Sequence, residues 1–122
     1  PDYVSPSTAC LIQREIDAVN AGAIDVQAAC TGYLYALSMA KAYIESGIYR
    51  KILLVATEKM STVTDYTDRS TCILFGDGAS ASIIADEGAG LEISAPCLGA
   101  DGNLAELIMI PAGGSHLPTS AE

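Results

Sequence analysis

Residues 23–40 read Ala23-Ile24-Asp25-Val26-Gln27-Ala28-Ala29-Cys30-Thr31-Gly32-Tyr33-Leu34-Tyr35-Ala36-Leu37-Ser38-Met39-Ala40. The first six are short and flanked by turn residues, which predicts a strand over residues 23–28 running straight into Cys30. From Thr31 a helix is expected to residue 46, with Gly47 just past its end, where glycine suits the left-handed cap. In its first two turns this helix has almost no polar face. A helix apolar all round is a buried one, and Lys41 and Glu45 enter only toward its far end. The N-terminus of the helix, and Cys30 with it, is therefore expected inside the protein.

Working outward, residues 51–57 (KILLVAT) form a near-continuous apolar run, the pattern of a strand covered on both faces. Strand, helix, strand in that order predicts a parallel crossover unit. Upstream, Ile12, Ile16 and Val19 recur at helical spacing, with Ser5 or Ser7 as a cap, Pro6 in the first turn and Gly22 beyond the end. A helix over residues 5–20 follows. Downstream, residues 61–70 are polar and read as a loop. Residues 71–75, 79–85, 91–98 and 106–110 are short strand candidates between Gly and Asp turns. Residues 111–122 lack periodicity and read as a loop.

Composition narrows the function. Of 122 residues half are hydrophobic and 17% charged, enough for a one-domain core. A net charge of −9 with scattered basic residues argues against a nucleic-acid partner. An anionic small molecule stays open, because one or two placed cations hold a phosphate locally. No apolar run is long enough to span a membrane, so no membrane partner is expected. Cys10, Cys30, Cys72 and Cys97 are too far apart for a paired-cysteine metal or redox motif, and His116 is the single histidine, so no metal site is expected. Three of the four cysteines lie in apolar runs, which favours reduced thiols and a cytoplasmic setting. The chain begins Pro1-Asp2-Tyr3 without Met, which makes a fragment, a processed product or a nicked chain the expectation.

Cys30 carries the chemistry. Helix N-termini hold unpaired N–H groups and partial positive charge, which stabilise a thiolate. The same groups stabilise the oxyanion formed when a thiolate attacks a thioester, and Gly32 leaves the approach open. On pattern alone a second reading stands beside this one: a buried cysteine that fills space.

The segment Ala28-Ala29-Cys30-Thr31-Gly32-Tyr33 resembles the active-site signature of the β-ketoacyl-acyl-carrier-protein synthase III family, condensing enzymes of the thiolase superfamily. Four further stretches agree with that family in order and spacing. They are Pro6-Ser7-Thr8-Ala9-Cys10; Thr67-Asp68-Arg69-Ser70-Thr71; Phe75-Gly76-Asp77-Gly78-Ala79; and Ala100-Asp101-Gly102 leading to Ile110-Pro111-Ala112-Gly113-Gly114.

The resemblance implies an α/β, thiolase-like fold, of which residues 1–122 would be the latter part of the N-terminal half: a mixed sheet with a buried central helix, lacking the first strands and the whole C-terminal half. It implies a priming condensation in fatty acid synthesis. Cys30 would accept an acyl group from acyl-coenzyme A, with Arg69 against the nucleotide; guanidinium both stacks on adenine and pairs with phosphate. Met60 and Phe75 would line or support the acyl pocket, and either serves equally as plain core. Ser5 would reach a partner subunit's acyl pocket across a homodimer interface, at a position where several family members carry a bulky aromatic. The acceptor would be malonyl-acyl-carrier protein, with no cofactor beyond the coenzyme A thioester. The family's catalytic histidine and asparagine would lie outside this chain. A sister condensing enzyme of secondary metabolism, or a catalytically dead thiolase-fold fragment, are the alternatives. Asp77 reads first as a turn residue, although the resemblance implies a loop close to the catalytic centre; Cys10, Cys72 and Cys97 read as core. The resemblance also implies Glu58 near the site, without a role, and His116 lies in the tail without a family motif.

Overall fold

The computed structural model describes residues 1–119. Its order is helix α1 (Thr8–Glu15), a one-turn 3-10 helix (Ala29–Thr31), helix α2 (Gly32–Glu45), strand β1 (Lys51–Lys59), a second 3-10 turn (Met60–Thr62), strand β2 (Asp77–Ala85) and a third 3-10 stretch (Gly102–Leu107). No helix among the described residues is long and apolar enough to cross a membrane.

The KILLVAT run forms β1 as expected and continues to Lys59. It pairs antiparallel with β2, from Lys51 opposite Ala85 to Lys59 opposite Asp77. The sheet of the described residues is these two strands, so the expected mixed sheet and parallel crossover are not seen within them. Residues 23–28 lie extended but pair with no strand here, because a strand is defined by a ladder partner and none of the described residues supplies one.

α2 lies across the sheet. Ala36, Leu37, Ala40 and Ile44 recur at helical spacing and meet Ile52, Leu54 and Ile84, with Ala40, Leu54 and Ile84 buried. The Tyr33 hydroxyl is 3.0 Å from Ser82 Oγ on β2. On its other side the helix meets residues 93–98, and the Tyr35 hydroxyl donates to the Gly99 carbonyl at 3.2 Å. The helix ends as predicted: Gly47 adopts φ 73°, with its N–H on the Ile44 carbonyl and that of Ile48 on the Tyr43 carbonyl.

The expected burial of α2 on all sides is corrected. Leu34 stays 55% exposed, and on the far face of the sheet the opposed pair Leu53 and Ile83 are 41% and 60% exposed. Apolar patterning says which surfaces seek cover; it does not supply the covering element. Cys10, Cys30 and Cys97 are exposed and Cys72 half-buried, all four as free thiols, so the reading of three of them as core does not hold in these residues.

Other boundaries shift for local reasons. α1 spans eight residues instead of sixteen, because Asp17 turns left-handed at φ 54° and breaks the helical path after Ile16. Residues 71–74 form turns, 91–98 carry no strand, and the 106–110 candidate falls partly in the third 3-10 stretch. None of them finds a ladder partner among the described residues, and a lone segment does not hold a strand without one. Residues 111–119 are irregular as expected; the rest of that tail lies outside the described residues.

Candidate active site

Cys30 occupies the middle of the 3-10 turn that leads into α2. The chain enters this turn through Ala29 at φ 46°, a left-handed conformation that alanine rarely adopts. That single residue swings the backbone from extended to helical and leaves Cys30 exposed at the bend; the expectation of a buried Cys30 is thus corrected, because the described residues supply no element that covers this end of α2. Thr31, at the cap position of α2, does not cap it. Its hydroxyl instead donates back to the Ala28 carbonyl at 2.9 Å, beside its own N–H on the same carbonyl at 3.2 Å. The Gly32 N–H goes to the Ala29 carbonyl. The N–H of Cys30 meets no acceptor among the described residues. The bend thus offers an open thiol and an open backbone donor on the same residue.

α1 sits beside the segment that feeds this bend. The Asp25 carboxylate accepts the N–H of Thr8 at 2.8 Å and of Ala9 at 2.7 Å, while Ser7 Oγ accepts that of Cys10 at 3.4 Å. Ser5 is exposed just before this capped end.

Met60 and Phe75, both half-buried, flank the mouth of the β1–β2 ladder. Asp77, expected as a turn residue, is the first residue of β2. Its carboxylate takes the Ser61 N–H at 2.8 Å and the Ser61 hydroxyl at 2.6 Å. These bonds, the hydroxyl first, hold its carboxyl below the usual carboxylate range. Glu58 lines a shallow depression with Asp77 and Gly78.

Arg69 is exposed on the loop between them, without a carboxylate partner among the described residues. Two aspartates build that loop. Asp65 accepts from Thr67 N–H (2.8 Å) and Oγ1 (2.7 Å). Asp68 accepts from Ser70 N–H (2.9 Å) and Oγ (2.6 Å) and from Thr71 Oγ1 (2.7 Å). Both carboxyls are held below their ordinary range, Asp65 first by the Thr67 hydroxyl and Asp68 first by that of Ser70. With both acids turned onto their own loop, the guanidinium is the charge left facing out.

α2 returns to β1 through residues 46–50, so helix and strand run in opposite directions. The Cys30 bend therefore lies toward the end of the sheet where β1 finishes and β2 begins, the end that carries Met60, Phe75 and the Arg69 loop. Ser5 precedes α1, whose first N–H groups are held by Asp25 on the segment that feeds the bend. His116 sits in an exposed turn closed by the Gly113 N–H on the Leu117 carbonyl at 2.8 Å. Sequence reading passed over Asp25, Asp65 and Asp68. The D-x-T and D-x-S spacing at 65–67 and 68–70 is a legible signal for such side-chain-closed turns; the contact of Asp25 with Thr8 spans seventeen positions and has no local one.

This arrangement has counterparts. The sequence profile of the 3-oxoacyl-[acyl-carrier-protein (ACP)] synthase III family matches residues 24–102. A β-ketoacyl-[acyl-carrier-protein] synthase III of Chlamydia pneumoniae is 54% identical over the whole chain, which spans 37% of that relative's length. A crystal structure of a 3-oxoacyl-(acyl-carrier-protein) synthase III superposes with a TM-score of 0.89 at 41% identity, covering 99% of this chain and 36% of that one. The priming β-ketosynthase from the R1128 polyketide biosynthetic pathway superposes with a TM-score of 0.66 at 46% identity, over 68% of this chain and 25% of that one. The thiolase-like α/β fold expected from the sequence is thus matched across nearly the whole chain, and the chain belongs to the 3-oxoacyl-[acyl-carrier-protein] synthase III family.

Proposed function

We propose that this chain is the nucleophile-bearing part of a condensing enzyme that primes fatty acid synthesis. The carrying observation is Cys30, exposed at a helix entry where, among the described residues, no side chain caps the helix and its own N–H has no acceptor. Its thiolate attacks the carbonyl carbon of a short acyl-coenzyme A, and the Cys30 N–H donates to the oxyanion. The intermediate collapses, the carbon–sulfur bond to coenzyme A breaks, and the released thiolate is protonated. Malonyl-acyl-carrier protein then loses carbon dioxide; the resulting carbanion attacks the acyl-cysteine, forming the new carbon–carbon bond and freeing the Cys30 thiolate. The family's histidine and asparagine, outside this chain, support that second step.

In this reading Arg69 binds the coenzyme A nucleotide, supported by its exposed guanidinium, which has no carboxylate partner among the described residues. Met60 and Phe75 border the acyl pocket, and Ser5 borders that of a partner subunit in a cytoplasmic homodimer. No resident cofactor is required. Residues 1–122 are the latter part of the N-terminal half. Likeness to the polyketide priming synthase supports a second reading, a sister condensing enzyme with the same nucleophile and another acceptor.

The test uses the full-length protein with a radiolabelled short acyl-coenzyme A and peptide mass spectrometry. Label is expected on Cys30 and absent from Cys10, Cys72 and Cys97, and Cys30→Ala is expected to abolish condensation. Label elsewhere, or undiminished condensation in the variant, overturns the proposal.

A further inference from the structure

The connection from β1 leaves the sheet through the 3-10 turn Met60–Thr62 and re-enters it at Asp77. The turn is tied internally: the Met60 carbonyl accepts the N–H of Val63 (3.0 Å), the N–H of Thr64 (3.0 Å) and Thr64 Oγ1 (2.7 Å), and the Lys59 carbonyl accepts Thr62 Oγ1 (2.9 Å). The Ser61 N–H is one of the donors a turn of this kind leaves without an internal partner. Asp77 takes it, together with the Ser61 hydroxyl, from across the ladder. A residue serving only to reverse the chain needs no partner sixteen positions away. The flanking Gly76 and Gly78 do not set the geometry either, since a Cβ on either would meet nothing within 4 Å. Beyond the Lys59–Asp77 backbone pair, the carboxylate is what ties the outgoing turn to the returning strand. Met60 adjoins Ser61 and Phe75 lies two residues before Asp77, so this contact couples the backbones that carry both side chains.

We propose that Asp77 is a positioning residue that sets the spacing of Met60 and Phe75 and, through it, the preference for acyl-chain length. This rests on the reading of Met60 and Phe75 as acyl-pocket residues given above. An ionised carboxylate suits the task because it only accepts, and the charge-assisted bonds it forms with Ser61 are short and directional. Losing them lets the turn move while the ladder beyond it stays paired.

The experiment measures kcat/KM of the full-length protein for acetyl- and hexanoyl-coenzyme A, with thermal melts to verify folding, in Asp77→Ala, Asp77→Asn, Ser61→Ala and Met60→Ala. Asp77→Ala is expected to shift the ratio of the two values by roughly threefold to tenfold, the scale of one or two lost hydrogen bonds. Asp77→Asn keeps one acceptor oxygen and Ser61→Ala keeps the N–H bond, so both are expected between that variant and the parent. Met60→Ala is expected to change the ratio directly. An unchanged ratio in Met60→Ala overturns the pocket reading and this proposal with it. A changed ratio there, with an unchanged ratio in the Asp77 and Ser61 variants, overturns the proposal alone; so does an equal loss for both substrates. Should Asp77→Ala fail to fold, Ser61→Ala and Asp77→Asn decide by the same criteria.

Discussion

The two helices of this chain begin in opposite ways. α1 is closed: Ser7 and Asp25 between them accept the N–H groups of Thr8, Ala9 and Cys10. α2 is open: Thr31 turns its hydroxyl away to Ala28, no side chain caps the helix, and the Cys30 N–H is left without an acceptor among the described residues. Any helix start carries N–H groups without intrahelical acceptors and a partial positive charge; α1 meets them with side chains, whereas before α2 the Thr31 and Gly32 N–H groups go to the Ala28 and Ala29 carbonyls of the 3-10 turn. In the proposed reading the first helix start is structural and the second chemical, and a carboxylate of the kind that stabilises α1 would, at α2, repel the negative charge developing on sulfur and on the oxyanion. The entry to α2 is held by backbone shape instead, with Ala29 at φ 46° setting the bend.

Closing the open end is the strongest challenge to this contrast. Thr31→Asp brings a carboxylate to the cap position beside Cys30. Acylation by acyl-coenzyme A is expected to slow by roughly tenfold, because a carboxylate on the residue next to Cys30 repels the negative charge on sulfur and on the oxyanion. Thr31→Asn, similar in shape but neutral, is expected to lose far less. Single-turnover acylation followed by mass spectrometry separates the two, and equal rates would remove electrostatics from the account.

Opening the closed end is expected to act on stability and not on chemistry. Asp25→Ala leaves two N–H groups of α1 without a side-chain acceptor, a loss of about 1 kcal/mol on the scale of helix caps. Denaturant titration should show that loss while the acylation rate of Cys30 changes little. A rate that falls with stability intact would make Asp25 part of the site.

A smaller effect sharpens the role of carboxylates in the Arg69 loop. Asp68 is held below the ordinary range, first by the Ser70 hydroxyl, so its bonds stabilise the fold above the unfolded carboxylate value of about 3.9 and fade as pH falls through the lower folded value. The Ser70 amide resonance is therefore expected to titrate at a pH below about 3.9, and not to titrate in Asp68→Asn. A midpoint at or above the ordinary value would show that the loop is not closed by Asp68.

These particulars mark how far the sequence carries. β1, α2 and the glycine that ends it were legible, because apolar runs and caps are local signals. Residues 23–28 and 91–98 were legible only as shapes that want a partner. The buried helix was inferred correctly as an apolar one and incorrectly as covered within these residues; Leu34 and Leu53 show that pattern states a demand and neighbours meet it. At the site, Cys30 and Arg69 stood out through residue chemistry and family motifs. The aspartates did not, because a turn-forming aspartate and one that bonds across seventeen positions look alike until the chain is folded.

The antiparallel pairing of β1 and β2 has a consequence for variation in length. Residues 60–76 form a connection whose base is closed by Lys59 opposite Asp77 and whose ends are tied by Ser61. The entropy of closing such a loop rises only logarithmically with its length, so doubling it costs about 0.6 kcal/mol. Insertions that spare the Asp65 and Asp68 turns would leave the ladder and the Ser61 tie in place. In the proposed reading, the reach of the Arg69 loop toward an anionic ligand is then adjustable apart from the chemistry of the thiol.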